Sequence, residues 1–298
     1  MRKDVIKLII CYNYIMNKNV FLTFSGYNTS RVTSSFYIKN NCIGIGNMLF
    51  QTASALNYAF KNNASLFVPC LNTYFRLEEL SKENTIFRNI NTNIIKEFNE
   101  LNIINTFSQS DYYILNHPFY NNIHFQGYFE NFENFDEIRS TILNYFRPTE
   151  ADKKYILDKY PFINDNNISS IHVRMGSDIR NFYSTEQIKI IENTYFNMID
   201  YMIQHKNINK IMVLTNDKSY CENIFDKNEK YKNIQFFYSN EVIDYIDLWI
   251  ISLIKNNIIS FSTFSLWGSY LNENENKCII GSNETTKIKL KYHEWIYI

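Results

Sequence analysis

At 298 residues with 45% apolar side chains, the chain is long for one domain and suited to two, each with its own core. Its 30 basic and 30 acidic residues cancel, which argues against nucleic acid or an anionic membrane as the main partner. Five scattered cysteines with no C-x-x-C pair indicate neither a thiolate zinc site nor a disulfide scaffold, and fit a reducing compartment.

Asn, Ile, Lys, Tyr and Phe are abundant, a skew toward residues with A/T-rich codons, so Asn-rich stretches carry little information. Scarce residues carry more. Average usage would give about 20 glycines; the chain has 7, at 26, 44, 46, 127, 176, 268 and 281. Positions that forbid a Cβ keep Gly even under such a bias.

In chain order, Val5 to Met16 is apolar but too short to span a bilayer, and it lacks a small-residue cleavage site. The expectation is a cytoplasmic or otherwise soluble protein without signal peptide or membrane span. Residues 1–34 read as an extension of uncertain role, though Val20 to Phe24 has strand character. Phe36 to Ile43 reads as a strand, Gly44-Ile-Gly-Asn47 as a turn, and Met48 to Lys61 as a helix with apolar positions 49, 53, 56 and 60 on one face. Ala64 to Val68 is a further strand. Two glycines at a strand-to-helix turn let a backbone approach a ligand, and N–H groups at a helix start favour an anion; a simple tight turn explains a lone G-x-G as well. His124 to Phe129 is strand-like with a bend at Gly127. Asn131 to Phe146 reads as one helix with Phe132, Phe135, Ile138, Ile142 and Phe146 on one face. Pro148, Pro161 and the polar run 164–167 flank a domain boundary. The expected organisation is an N-terminal α/β domain over 35–150 and a C-terminal domain over 151–298.

The C-terminal half alternates regularly. Strand 168–174 leads to a helix over 185–205, which opens with a capping box from Ser184 and Gln187. Strands at 210–214, 234–238, 258–261 and 278–281 alternate with helices at 219–225, 243–255 and 264–271. This order predicts a doubly wound parallel sheet with right-handed crossovers. Three of its strands end in polar clusters: His172-Val-Arg174 with Gly176, Thr215-Asn-Asp217, and Ser260 through Ser265 leading to Trp267 and Gly268. In a parallel sheet all three lie at the carboxyl edge, where ligands bind. Arg174 offers a bidentate fork for phosphate. The hydroxyls and N–H groups near Ser262 and Thr263 suit a phosphate at a helix start, or simply cap that helix. Asp217 reads a base or ribose, or caps the next helix.

These blocks resemble the α1,2-fucosyltransferases of glycosyltransferase family 11. Gly44-Ile-Gly-Asn-Met-Leu-Phe-Gln51 is similar to that family's G-[GL]-x-G-N-Q-x-F-Q, and Gly127-Tyr-Phe129 to its G-Y-F. His172-Val-Arg-Met-Gly176 is similar to H-V-R-R-G-D, and Thr215-Asn-Asp217 to S-[DN]-D. Asp247-Leu-Trp-Ile-Ile-Ser252 and Ser260-Phe-Ser-Thr-Phe-Ser-Leu-Trp-Gly268 match the long last block. The match runs in family order over about residues 36–281. Met48, Met175, Ser177 and Leu266 depart from it, with Asp178 one place later than the family's Asp.

The resemblance implies a GT-B-like α/β fold of two Rossmann-like domains facing across a cleft. It implies inverting transfer of L-fucose from GDP-fucose to a sugar hydroxyl, a galactoside α1,2-fucosyltransferase activity. No cofactor or metal is expected; the chain lacks D-x-D. The expected partners are a GDP-sugar donor and a galactose-terminated glycan acceptor, with no nucleic acid and no membrane span. Arg174 is the expected catalytic cation and Asp178 the candidate base. His172, Gly176, Asn216, Asp217, Ser262, Thr263, Phe264 and Ser265 are the expected donor-binding residues, and Gly44, Gly46, Asn47 and Gln51 form the N-terminal loop of the site. Alternatives are a transferase using another GDP-sugar, or a non-catalytic glycan- or nucleotide-binding relative.

Overall fold

Among the described residues, every strand pairing in the computed structural model is parallel. Those residues are 18–22, 44–68, 71, 85–91, 106–107, 118, 122–125, 127–176, 180–283 and 290–298. The chain divides after Phe146 into two units. The expected strand over 36–43, and Ser177 and Asp178, lie outside the described residues. No helix among those residues is long and apolar enough to cross a membrane.

The first unit comprises β1 (Asn19–Leu22), α1 (Ile45–Lys61), β2 (Ser65–Phe67), β3 (Thr106–Phe107), β4 (Asn122–Phe125) and α2 (Arg139–Phe146). Its sheet runs β2-β1-β4-β3. β1 therefore lies inside the sheet, with Val20, Phe21 and Leu22 fully buried. Part of the stretch left as an extension by sequence is thus an interior strand.

Two further expectations change here. Helix α1 starts at Ile45 with Gly44 as its N-cap, so Gly46 and Asn47 lie in its first turn and not in a loop. The helix is buried on nearly all sides, while Phe60 is 44% exposed. Two buried polar groups on it bond to carbonyls: Thr52 Oγ1 donates to the Met48 carbonyl at 2.8 Å, and Asn57 Nδ2 donates to the Asn134 carbonyl at 2.8 Å. The stretch 131–146 is not one helix. Two 3₁₀ turns, Phe132–Asn134 and Asp136–Ile138, precede α2, because Phe135 at φ −149°, ψ 0° breaks the helical path. The break turns Phe132 and Phe135 onto the Phe50 ring, at 5.1 and 5.8 Å.

The second unit holds α3 (Glu150–Lys159), β5 (Ile168–Val173), α4 (Thr185–Lys206), β6 (Lys210–Thr215), α5 (Lys218–Cys221, continued as a π-turn to Asp226), β7 (Gln235–Tyr238), α6 (Asp244–Leu253), β8 (Asn256–Ile258), α7 (Thr263–Tyr270), β9 (Cys278–Gly281) and β10 (Ile296–Tyr297). The strand order is β10-β9-β8-β5-β6-β7. Chain order runs outward from the centre in both directions, so β5 and β8 flank the topological switch point. Ile171, Val173 and Met175 pack with Tyr195, Met198, Ile199, Ile211 and Val213 in the core beneath α4.

β8 begins at Asn256, earlier than expected, because its asparagines are satisfied internally. Asn257 Nδ2 donates to Ser170 Oγ at 2.8 Å and to the Ile251 and Ile254 carbonyls, while its Oδ1 accepts from Asn272 Nδ2 at 2.7 Å. A buried amide with this many partners loses little on leaving water. β10, parallel to β9 through Ile296 and Ile280, was not anticipated.

Candidate functional site

The switch point between β5 and β8 sets the site. Ligands of doubly wound sheets sit outside the carboxyl ends of the strands at this position. β5 pairs with β8 through Ile171 and Ile258, and with β6 through Val173 and Thr215. Arg174 follows β5, Asn216 and Asp217 follow β6, and Ser262 and Thr263 follow β8. All of them lie at the carboxyl edge. Arg174 is exposed there, whereas its neighbour Met175 turns into the core and is fully buried.

His172 joins the two central strands. Its Nδ1 lies 3.1 Å from Ser260 Oγ, and its ring leans on the Phe264 ring with centroids 4.8 Å apart. Burial first, and the Arg174 cation second, push the imidazole pKa down to about 3. His172 is therefore neutral at ordinary pH, a spacer and hydrogen-bonding group that leaves the positive charge to Arg174.

The turn from β8 into α7 is built by three serines. Ser262 caps α7 by accepting from the Phe264 amide at 3.3 Å. Ser265 Oγ donates to the Ser262 carbonyl at 2.9 Å and accepts from the Ser260 amide at 3.1 Å. Ser260 Oγ accepts from the Ser262 amide at 3.2 Å. Ser265 is buried and engaged inward, so it shapes the turn. Thr263 and Phe264 are half-buried at the helix start, and the positive end of the α7 dipole points to the same edge as Arg174.

The β6 turn is equally organised. Asn216 Oδ1 accepts from the Gly176 amide at 3.1 Å. Asp217 Oδ1 caps α5 by accepting from the Tyr220 amide at 3.0 Å, and its Oδ2 meets Arg180 at 2.6 Å. Both oxygens of Asp217 are thus engaged within the protein. Cys221, below this turn, is a buried thiol pushed up to about 12 by desolvation. Arg180 is a contributor that the sequence does not single out, and Ser260, read there only as the start of the third polar cluster, organises the turn from β8 into α7. Gly44, Gly46, Asn47 and Gln51 form the start of α1 in the first unit; Gln51 is fully buried, and an added Cβ at Gly44 would meet nothing within 4 Å.

No family model matches the chain. It is 28% identical over 258 residues to the alpha-1,2-colitosyltransferase of Escherichia coli, an alignment covering 76% of this chain and 84% of that protein. It is 26% identical over 303 residues to the O-antigen biosynthesis glycosyltransferase WbnK of Escherichia coli, covering 85% and 97% respectively. Among solved structures, POFUT1 in complex with GDP-fucose aligns with a TM-score of 0.52 at 11% identity, covering 90% of this chain and 98% of that one. The likeness at that identity is one of fold, and the two α/β units with parallel sheets have a GT-B-like architecture.

Proposed function

We propose that this protein is an inverting glycosyltransferase that moves a 6-deoxyhexose, L-fucose first, from its GDP-linked donor to a hydroxyl of a galactose-terminated glycan, forming an α1,2 linkage. The observation that carries this reading is that Arg174 and the capped start of α7 follow β5 and β8, the adjacent strands at the switch point, and so share its carboxyl edge. An exposed guanidinium and a capped helix start on one sheet edge suit a diphosphate. The two Escherichia coli relatives, both named as glycosyltransferases, support the reaction class, and the family 11 resemblance supplies the fucose and the linkage.

As the bond between the sugar C1 and the phosphate oxygen breaks, negative charge grows on the leaving diphosphate. Arg174 meets that charge with a planar fork, and the α7 dipole adds to it. A pair of charges ~4 Å apart at an effective dielectric near 20 interacts by roughly 4 kcal/mol. Only the part that grows on the way to the transition state accelerates the reaction. His172 stays neutral and does not compete for the phosphate. The acceptor hydroxyl needs a modest base, for which Asp178, just past Arg174 in sequence, is the proposed group.

A second reading, favoured by the colitosyltransferase relative, keeps the site and changes the donor sugar to colitose. Transfer and donor hydrolysis measured against a panel of nucleotide sugars decide between them. Turnover confined to GDP-fucose supports the first reading, and turnover confined to a colitose donor supports the second. Binding of donor without transfer or hydrolysis would identify a non-catalytic relative.

A further inference from the structure

The turn after β5 is tied to the turn after β6 at two points. The Gly176 amide donates to Asn216 Oδ1 at 3.1 Å, and the Arg180 guanidinium pairs with Asp217 Oδ2 at 2.6 Å. The Arg180 amide also donates to the Gly176 carbonyl at 3.0 Å. The guanidinium also lies over the Tyr220 ring, 5.5 Å from its centroid. Tyr220 is itself held, its hydroxyl donating to Glu192 on α4 at 2.5 Å.

We propose that Arg180 and Asp217 act as one brace that positions the turn after β5, and with it the backbone from which Arg174 reaches the donor diphosphate. Arg180 is then a positioning residue. This rests on the donor-site reading above. The side chains are 38% and 19% exposed, and an ion pair this open to water contributes little to global stability. What it does fix is geometry, through a charge-assisted hydrogen bond and a ring contact on one guanidinium. Diphosphate stabilisation is sensitive to geometry, because a shift of order 1 Å in a positioned group costs orders of magnitude in rate. Met175, next to Arg174, is buried in the core, and the Arg180 cation is already engaged by Asp217.

A brace and a direct phosphate ligand make opposite demands on Asp217. A brace needs Asp217 to hold Arg180. A direct ligand would have to leave Asp217, and would bind better without it. Asp217→Asn separates these roles cleanly, since the amide oxygen still caps α5 while the charge is gone.

The experiment measures GDP affinity by calorimetry and amide hydrogen exchange at Gly176 and Arg180, on the full chain and on Arg180→Ala, Asp217→Asn and the double variant. The brace predicts that each single variant weakens GDP binding on the order of tenfold, that the double variant is no worse than either, and that exchange at both amides accelerates in all three. Melting temperatures stay near the parent's. Tighter GDP binding in Asp217→Asn overturns the brace and makes Arg180 a direct ligand. Additive losses, or unchanged exchange at the two amides, also overturn it. If the parent chain binds no GDP, the donor reading fails, and the exchange data still decide whether the brace exists.

Discussion

His172 Nδ1 and Ser260 Oγ lie 3.1 Å apart, and this contact couples the end of β5 to the turn that starts α7. Burial, with the Arg174 cation nearby, keeps the imidazole uncharged, and this gives His172 a pH signature. The folded pKa, near 3, lies below the ordinary 6.5. Between those values the unfolded chain binds more protons than the folded one, so stability falls as pH drops through this window and is unaffected above it. His172→Asn should melt lower than the parent at pH 7, and the gap should narrow toward pH 5. A constant gap measured by calorimetry across this range would show that His172 does not titrate this way.

Asp247 should act with the opposite sign. It accepts from Ser239 Oγ and lies near Glu241, Asp244 and Lys159; burial raises its carboxyl to about 7 from 3.8. The folded state then holds the extra proton between those values, and stability falls as pH rises through them. Asp247→Asn mimics the protonated form. Relative to the parent, it should gain a few degrees of melting temperature on going from about pH 5 to about pH 8.

Arg174→Ala should lower kcat on the order of 10²–10³, the loss expected when one preorganised donor to a developing charge is removed. Arg174→Lys keeps the charge but not the fork, and should recover part of it. Because Arg174 is exposed, melting temperature should hardly move. Turnover equal to the parent's in the Ala variant would remove this residue from the mechanism.

The proposed mechanism places the leaving charge on Arg174 and the α7 start, so transfer should continue undiminished in excess EDTA. Loss of turnover on chelation, restored by manganese, would require a different account of the charge.

Gly268 in α7 faces Ile251 in α6 so closely that an added Cβ would lie 2.7 Å from the Ile251 Cβ. The contact is with the root of a branched side chain and cannot be relieved by rotating a flexible end. Gly268→Ala should destabilise by about 1–3 kcal/mol in urea melts as the two helices separate. Gly44→Ala, which meets nothing, should change stability by less than about 1 kcal/mol.

Much of the second unit is legible in sequence because its signals are local. The Ser184 and Gln187 capping box marks the start of α4, and the β-branched run into Gly281 marks β9. Arg174 and Ser262 stand out because each ends a strand or begins a helix. Where reading fails, the deciding interactions are remote. Asn256 and Asn257 look like loop residues, and only Ser170 and Asn272 make them a strand. The break at Phe135 follows from packing on Phe50. The Arg180 and Asp217 pair joins the ends of two different strands, and no local pattern announces it.

The position of β1 has a cost during synthesis. Val20, Phe21 and Leu22 leave the ribosome early, yet Val20 pairs with Ile123 on one side and Leu66 on the other. The first sheet cannot close until translation has passed Phe125, and until then an apolar strand waits without its inner neighbour β4. Parallel pairings at such separation form slowly and expose sticky edges meanwhile. The second unit is less burdened, since β5, β6 and β7 pair in the order they emerge. Slower translation or a cooler culture should therefore raise the soluble yield chiefly by protecting the nascent N-terminal unit.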